Sequence, residues 1–348
     1  MPVSYVLSLR WSGDHGLAGL TAYLRWLADR CEVVVADGSP ERVFVAHAQR
    51  WSGWITHVRV GSAGPGRNGK VLGVHVGIRA ARHEKVVIAD DDVRYDDAAL
   101  AGVAASLDDT DLVAPQNYFG PLPWHARWDT ARILLNRAFG GDYPGTFGIR
   151  RPVFLDMGGY RDDVLFENLE LMRTVSAAGG RVLRAADLFV RREPPTAVHF
   201  RSQRVRQAYD SLAQPARLCV ELAVLPVVAI AVVRRKGVVA AVSGTMASAF
   251  LAELGRRRAG GTRVFPATVP LFAPLWVAER AVCAWVAVAH RVLLGGVRYG
   301  GGRLRVAAYS AREGHRMAGG CGATISGGGR PLRARRGDRQ VGRREAEE

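Results

Sequence analysis

Residues 64–92 contain two groups of side chains that are suited to phosphate chemistry. The first is the stretch GPGRNGK at 64–70, in which a glycine-rich turn leads to Lys70. The second is the run of three aspartates at 90–92, which follows the apolar stretch KVVIA. Backbone amides and a lysine bind phosphate oxygens, and carboxylates hold the divalent cation that often accompanies them. The substrate is therefore expected to carry phosphate.

One interpretation of the glycine-rich turn is a P-loop, which binds the phosphates of a nucleoside triphosphate, because its spacing is G-x-x-x-x-G-K. That loop needs Ser or Thr after the lysine, since the hydroxyl binds Mg²⁺, and this chain has Val71 there. Two strand–helix units also precede the turn, whereas such a loop normally follows the first strand of its domain. The sequence therefore disfavours an ATPase.

The aspartates are candidate ligands for Mg²⁺ or Mn²⁺ next to a diphosphate, with a solvated turn as the alternative. Asp90 and Asp92 are expected at the end of a strand, where alternate side chains share a face and Asp91 points elsewhere. A cation held by one or two carboxylates bridges phosphate oxygens and stabilises the charge on a departing diphosphate. His199 is a further candidate ligand, with a structural role as the alternative.

Apolar runs that alternate with helical patterns predict a mostly parallel, doubly wound α/β sheet. In such sheets ligands bind at the carboxyl ends of the strands. The segment 117–148 is rich in aromatic residues, glycine and proline, and is helical only in its middle. We expect loops such as 117–147 to carry specificity for the sugar and the acceptor. The predicted strands lie at 5–9, 32–36, 55–60 and 85–89, with another beginning at 112, and the predicted helices at 17–29, 43–50 and 70–82.

Several short motifs, in this order, resemble those of family 2 glycosyltransferases with the GT-A fold. The resemblance is to the membrane-associated group that includes ceramide glucosyltransferase and bacterial family 2 enzymes. In that family an aspartate ends the second strand, an N-x-G-K-like turn follows, and a D-x-D closes the nucleotide-binding half. An E-D motif, a Q-x-x-R-W motif and a basic-aromatic motif come later. The counterparts here are Asp37, RNGK at 67–70, Asp90 with Asp92, FENLEL at 166–171, SQRVRQ at 202–207 and GVRYGGGR at 296–303.

The resemblance implies a role for each matched position. Gln203 and Arg206, three residues apart on a predicted helix, would contact the diphosphate or the acceptor, and the arginine suits phosphate oxygens. Asp90 and Asp92 would hold the metal. The implied contacts of the nucleotide sugar are Asp37, Lys70, Asp90 and Asp92.

Two positions depart from the family pattern. The family's catalytic base is the aspartate of E-D, and this chain has Asn168 there, whose amide does not accept a proton. A hydroxyl acceptor needs a base within hydrogen-bond reach. We therefore expect Glu167 to serve, with Glu170 as the second candidate; a surface ion pair with Arg173 is the alternative role for Glu170. Gln207 replaces the tryptophan on which processive members stack acceptor sugar, which favours transfer of a single sugar.

The net charge of +16 is concentrated in the C-terminal part of the chain. Residues 1–215 hold 26 Lys and Arg against 24 Asp and Glu, whereas residues 216–348 hold 22 against 8. Arginines flank the apolar runs at 218–233, 238–254 and 264–294, which is the membrane pattern. Nucleic-acid binding would instead place a basic face on the folded module. We expect membrane helices or a re-entrant pair, with buried helices of a soluble domain as the alternative.

The sequence as a whole predicts a GT-A catalytic domain at 1–212, apolar membrane-associated helices at 213–296 and a basic, largely disordered tail at 297–348. The expected activity is inverting, metal-dependent transfer of one hexose from a UDP- or GDP-sugar to a lipid or glycan acceptor. No basic and apolar signal segment is visible at the start, so the catalytic domain is expected on the cytoplasmic side of the cell membrane. The alternatives are a sugar nucleotidyltransferase, which would need a glycine-rich loop after the first strand, and a non-enzymatic membrane protein with a decayed site.

Overall fold

The computed structural model describes residues 1–13, 16–299 and 302–310. One mixed sheet of eight strands forms its centre, in the order β3-β2-β1-β4-β7-β6-β8-β5. Strands β1 to β4 are parallel, as are β6 and β8, while β7 runs antiparallel between β4 and β6. The strands are β1 (Val3–Leu9), β2 (Glu32–Asp37), β3 (Thr56–Arg59), β4 (Lys85–Ala89), β5 (Val93–Arg94), β6 (Leu112–Phe119), β7 (Thr146–Arg150), β8 (Val182–Arg192), β9 (Val297–Tyr299) and β10 (Gly302–Leu304).

Helices cover both faces of the sheet, as expected where the strands are apolar on both sides. Alternate residues of β1 enter different cores: Tyr5 and Leu7 pack in the layer of α1, and Val6 packs in the layer of α3. The helices are α1 (Leu17–Ala28), α2 (Glu41–Trp51), α3 (Gly69–Ala80), α4 (Asp97–Ser106), α5 (Trp124–Ala138), α6 (Arg151–Asp156), α7 (Glu167–Ala177), α8 (Ala197–Ser202), α9 (Arg204–Tyr209), α10 (Pro215–Val233), α11 (Gly237–Arg257) and α12 (Ala273–Leu293).

Helix α3 lies close to β1, and this closeness determines where Lys70 is held. Asn68 caps the helix, because its side-chain oxygen accepts a hydrogen bond from the Lys70 backbone amide at 3.1 Å. A methyl group added at Gly77 would lie 2.4 Å from Cγ1 of the buried Val6. The glycine therefore allows the helix backbone to approach the sheet and brings its first turn to the strand ends.

Three helical segments of the described chain are long and apolar enough to cross a membrane: Pro215–Val233, Gly237–Arg263 and Val269–Leu293. In α10 only Glu221 is buried. The buried residues of α11 all lie in its second half, where Gly255 brings its backbone against the carbonyl of Leu134 in α5. Most of α10 and the first half of α11 are thus apolar and open to the surroundings.

Helix α12 packs on the rest of the chain over most of its length and leaves its last turn exposed. Its buried residues run from Ala273 to Ala287 at helical spacing. Val282, Trp285 and Leu293 are exposed on the other side. The helix therefore lies along the surface of the domain and presents one apolar face outward.

After α12 the chain returns to the α/β domain. Strands β9 and β10 form an antiparallel hairpin, and the Tyr299 hydroxyl donates to Oδ1 of the helix-capping Asn68 at 2.9 Å. Further along, the Ala307 carbonyl accepts from the Phe166 amide at 2.7 Å. These contacts hold 297–299 and 302–310 against the α/β domain. The rest of the predicted tail lies outside the described residues.

The α/β sheet followed by apolar C-terminal helices is confirmed. The third apolar run departs from its predicted bounds, because a 3₁₀ turn at Val269–Phe272 precedes α12. Pro266 and Pro270 lack the amide that a continuous helix would need there. The predicted helical middle of 117–148 is α5.

Candidate functional site

Two cavities meet beyond the carboxyl ends of the parallel strands. The first, the strand-end cavity, is about 780 Å³ and lies over β1, β2 and β3 beside the first turn of α3. The second, the helix-side cavity, is about 370 Å³ and lies among α5, α7, α9 and the beginnings of α10 and α12. Lys70, Asp90, Asp91 and Arg206 line both cavities. A molecule in one cavity would therefore adjoin a molecule in the other.

Asp37 does not face the strand-end cavity, which contradicts its predicted contact with the nucleotide. Its carboxylate is fully buried and accepts hydrogen bonds from His47 at 2.7 Å, from His57 at 3.1 Å and from the Ser39 amide at 2.9 Å. Burial alone would raise the pKa of Asp37, but these hydrogen bonds outweigh it and hold the pKa well below its usual range. The side chain supports the cavity wall from behind, where Gly38 and Ser39 form the surface.

Asp37, His47 and His57 also form a candidate metal-binding group. One ligand atom from each lies within 4.8 Å of the others in the described part of the chain. Hydrogen bonding already occupies these atoms, and His47 Nε2 is a buried nitrogen without a partner among the described residues. The three side chains lie behind the wall of the strand-end cavity and do not line it. A metal ion bound there would not contact a ligand in the cavity, so Asp90 and Asp92 remain the candidate metal ligands for the substrate.

Lys70 links the two halves of the site. Its Nζ lies 2.6 Å from Asp90 Oδ1 and donates to Glu167 Oε1 at 2.8 Å. Burial would lower the pKa of Lys70, but the two carboxylates outweigh it and raise the pKa well above its ordinary value. The ammonium therefore stays charged and bridges the end of β4 to the start of α7.

The three aspartates lie in a turn after β4 and not on the strand itself. Asp90 and Asp92 both face Arg192, whose Nη2 lies 3.4 Å from Asp90 Oδ2 and 2.6 Å from Asp92 Oδ2. Asp91 was expected to point away, yet it lines both cavities and accepts from Trp11 Nε1 at 2.5 Å. The turn aims all three carboxylates at the site, which strand alternation would not do.

Arg192 was not predicted from the sequence. It lies at the end of β8 and pairs in register with Val93 of β5, directly after the aspartates. Its Nε also donates to Asp92 Oδ1 at 2.9 Å, which makes the contact with that carboxylate bidentate. Burial raises the pKa of Asp92, and the arginine opposes this effect.

The charges at this junction fit a divalent cation. The three aspartates and Glu167 supply four carboxylates, against three cations, Lys70, Arg192 and Arg206. Carboxylate oxygens are the ligands that Mg²⁺ and Mn²⁺ prefer. Asp90 and Asp92 would hold such an ion, because the carboxylates outnumber the cations.

The two candidate catalytic glutamates have different surroundings. Glu167 lines the helix-side cavity beside Lys70. Glu170 is buried away from both cavities and accepts from the Tyr309 amide at 2.8 Å. Its expected partner Arg173 instead donates to the carbonyls of Tyr309 and Ala213. The structure therefore contradicts both a catalytic position and the proposed surface ion pair for Glu170.

The predicted acceptor residues Gln203 and Arg206 line the helix-side cavity. Gln203 Oε1 accepts from Arg206 Nη1 at 3.1 Å, and the Arg206 guanidinium stacks on Tyr299 at 4.7 Å from the ring centroid. Gln207 and the exposed His199 line the same cavity. The predicted helix over these residues is divided into α8 and α9 at Gln203.

Two charged residues of the helix-side cavity carry no signal in the sequence motifs. Asp210 follows α9, and burial raises its pKa to about 7, although Arg206 opposes this effect. Arg280 reaches the cavity from α12, in the middle of an apolar run. Only the packing of α9, α10 and α12 around one space brings these side chains to the site.

No protein-family model matches the sequence, and no curated protein sequence matches it either. The mannosyltransferase PcManGT from Pyrobaculum calidifontis, solved with GDP-Man and Mn²⁺, is similar over 82% of this chain and 87% of that chain, with 16% identity and a TM-score of 0.48. Glucosyl-3-phosphoglycerate synthase from Mycobacterium tuberculosis, solved with Mn²⁺ and UDP, is similar over 61% and 78%, with 15% identity and a TM-score of 0.42. TarS of S. aureus with UDP-GlcNAc is similar over 58% and 61%, with 16% identity and a TM-score of 0.40.

The raised pKa of Asp210 predicts a pH dependence of stability. The folded state binds this proton more tightly than the unfolded state, so stability falls as the pH rises from about 4 to 7. Asp210→Asn should remove this contribution, which is at most about 1.4 kcal/mol per pH unit and smaller for a partly exposed group. Thermal unfolding in detergent between pH 4 and 8 measures it. Asp109→Asn, at an exposed position, is the control, and an equal pH slope in both variants would contradict the assignment.

Proposed function

We propose that this chain is a metal-dependent glycosyltransferase that transfers a single hexose from a UDP- or GDP-sugar, with inversion, to a membrane-associated acceptor. The observation that supports it most is the junction of the two cavities at Lys70, Asp90 and Asp91. A sugar bound there would have a nucleotide on one side and an acceptor on the other. Displacement of the diphosphate by an acceptor from the opposite side inverts the anomeric centre in one step.

The strand-end cavity is the proposed site of the nucleotide. It is lined by Ser39, Gly61 and Ser62, which leave room for a flat base, and by the first turn of α3. Helix N-termini favour anions, and the Lys70 ammonium and Arg206 guanidinium add positive charge where the diphosphate would lie. A divalent ion at Asp90 and Asp92, when bound, would stabilise the negative charge on the leaving diphosphate.

The helix-side cavity is the proposed site of the acceptor. For a hydroxyl acceptor, Glu167 is the carboxylate of the E-D-like motif that faces this cavity. Its contact with Lys70 would hold the carboxylate toward the sugar. Gln203 and Arg206 would orient the acceptor and the diphosphate.

Two other functions are less well supported. A sugar nucleotidyltransferase needs a phosphate loop after the first strand, but Trp11 fills that position, donating its backbone amide to Ser39 Oγ at 2.9 Å. A decayed membrane scaffold is suggested by Asn168 and Gln207. The intact contacts of Lys70 with Asp90 and Glu167 favour a working site. Metal-dependent hydrolysis of a sugar nucleotide by the purified chain would exclude the scaffold.

Asp92→Asn should abolish Mn²⁺-dependent binding of the donor, because it removes one charged ligand and keeps the side-chain volume. Thermal shifts are measured with a panel of UDP- and GDP-sugars and Mn²⁺. At a donor concentration 100 times the dissociation constant, the free energy of unfolding of the wild-type chain should increase by about 2.7 kcal/mol. The variant should lose this gain, and its turnover should fall at least about 100-fold. Asp97→Asn is the control, since Asp97 forms an exposed pair with Arg30. Near-normal turnover of Asp92→Asn would place the metal elsewhere.

We further propose membrane association through α10 and the first half of α11, with the catalytic domain on the cytoplasmic side. The 19 residues of α10 are close to the number that a helix needs to cross the hydrocarbon core of a bilayer. Arg234, Arg235 and Lys236 lie between the two helices and would reach a polar headgroup region. The full-length chain should sediment with membranes and be released by detergent. Recovery in the soluble fraction without detergent would contradict this proposal. A nucleic-acid partner is not proposed.

A further inference from the structure

A third cavity lies between the β9–β10 hairpin, the segment of α8 and α9, and the end of α12. This cavity, the hairpin pocket, is about 610 Å³ and shares Gln203, Arg206 and Tyr299 with the walls of the two cavities described above. The motif GVRYGGGR at 296–303 supplies part of its lining. Among the described residues, arginine and histidine side chains line this pocket and no aspartate or glutamate does. A cavity lined by one sign of charge attracts a ligand of the opposite sign.

Two arginines of the hairpin lie directly opposite each other across its strands. Arg298 of β9 pairs in register with Arg303 of β10, and both line the hairpin pocket. The neighbouring register pair, Val297 with Leu304, is buried against the domain. Like charges directly opposite each other destabilise an antiparallel pair of strands. An anion bound between the two guanidinium groups would offset this repulsion.

No acidic side chain in the described part of the chain forms an ion pair with these two arginines. Arg298 has no hydrogen bond or ion pair there, and Arg303 donates only to a backbone carbonyl, at 2.9 Å. Asp210 lines the helix-side cavity and not the hairpin pocket. Asp162, which lies near the turn that the hairpin contacts, pairs with Arg67. The counter-charge for the hairpin arginines must therefore come from a ligand or from solvent ions.

Exposed apolar side chains beside the hairpin pocket indicate what carries the negative charge. Leu294 lines the pocket and is exposed, as are Val292 and Leu293 in the last turn of α12. Helix α8, which supplies Ser202 to the lining, exposes Val198. Basic side chains next to exposed apolar ones are typical of segments that lie at the surface of an anionic membrane. A free anion would leave this apolar surface uncovered, whereas the chains of a lipid would cover it.

We propose that the hairpin pocket binds the headgroup of an anionic phospholipid of the bilayer, which is neither donor nor acceptor in the transfer reaction. Arg298 and Arg303 contact its phosphate oxygens, for which the planar guanidinium is suited, and its acyl chains lie along Leu293 and Leu294. This inference rests on the proposed membrane association. The bound headgroup also stabilises the hairpin, and with it the contacts of Tyr299 at the wall between the strand-end and helix-side cavities.

Isothermal titration of the full-length chain in a nonionic detergent tests the choice of ligand. The three ligands are dihexanoylphosphatidylglycerol, dihexanoylphosphatidylcholine and sn-glycerol 3-phosphate. We expect saturable binding of the phosphatidylglycerol, and at least about tenfold weaker binding of the other two. Equal affinity for the phosphatidylcholine would overturn the requirement for an anionic headgroup. Equal affinity for sn-glycerol 3-phosphate would overturn the lipid assignment.

The double variant Arg298→Gln, Arg303→Gln tests the role of the two arginines. Its affinity for dihexanoylphosphatidylglycerol should fall about fivefold for each arginine, or about 25-fold in all. In lipid-free detergent its melting temperature should not be lower than that of the wild-type chain, because the repulsion between the arginines is removed. The matched control is Arg79→Gln, Arg82→Gln, which lowers the net charge equally at exposed positions near the end of α3. An equal loss of affinity in both double variants would contradict the proposal.

Measurements on the wild-type chain separate this inference from the proposed function, whether or not the double variant folds. UDP and GDP with Mn²⁺ should not compete with dihexanoylphosphatidylglycerol; competition would assign the hairpin arginines to the donor site and overturn the inference. Donor binding and sedimentation with membranes, without a preference for phosphatidylglycerol, would overturn the inference and leave the proposed function intact. A chain that is soluble without detergent and does not bind phosphatidylglycerol would overturn the membrane association as well.

Discussion

The contact of the Lys70 ammonium with two carboxylates is the interaction on which the site depends. It joins Asp90, directly after β4, to Glu167, at the start of α7. Lysine can hold both because the cap at Asn68 and the close packing of α3 on β1 place its side chain between them. Without this cation, three neighbouring aspartates and a glutamate would repel one another in a partly buried space.

Other parts of the chain are arranged around this contact. Tyr299 returns from the C-terminal segment to hydrogen-bond Asn68 and to stack on Arg206. The segment after the apolar helices therefore stabilises the wall between the two cavities. This packing couples the helices that contact the surroundings to the site, since α12 connects directly to the hairpin that carries Tyr299. Removing these helices would also remove part of the proposed site.

Local patterns predicted the fold and singled out residues that the structure places where the two cavities meet, but not the residues around them. Lys70, Asp90 and Asp92, which the structure brings close together, could be singled out from the sequence because each lies in or next to a turn beside a regular strand or helix. The orientation of Asp37 could not be predicted, since it depends on His47 and His57, which lie 10 and 20 positions away in sequence. Arg192 ends a strand whose residues are mostly partly exposed and lack a clear apolar alternation. Arg280 was not predicted because it lies within an apolar run. From the sequence alone such a run indicates contact with lipid and not a side chain that lines a cavity.

Anomalous diffraction at the manganese edge, from crystals grown with Mn²⁺ and UDP or GDP, tests the account most directly. We expect one manganese ion within coordination distance, roughly 2–2.5 Å, of carboxylate oxygens of Asp90 or Asp92, with the nucleotide in the strand-end cavity and Arg192 moved from the aspartates. Manganese bound only at Asp37, His47 and His57, or a nucleotide bound outside the strand-end cavity, would contradict the account.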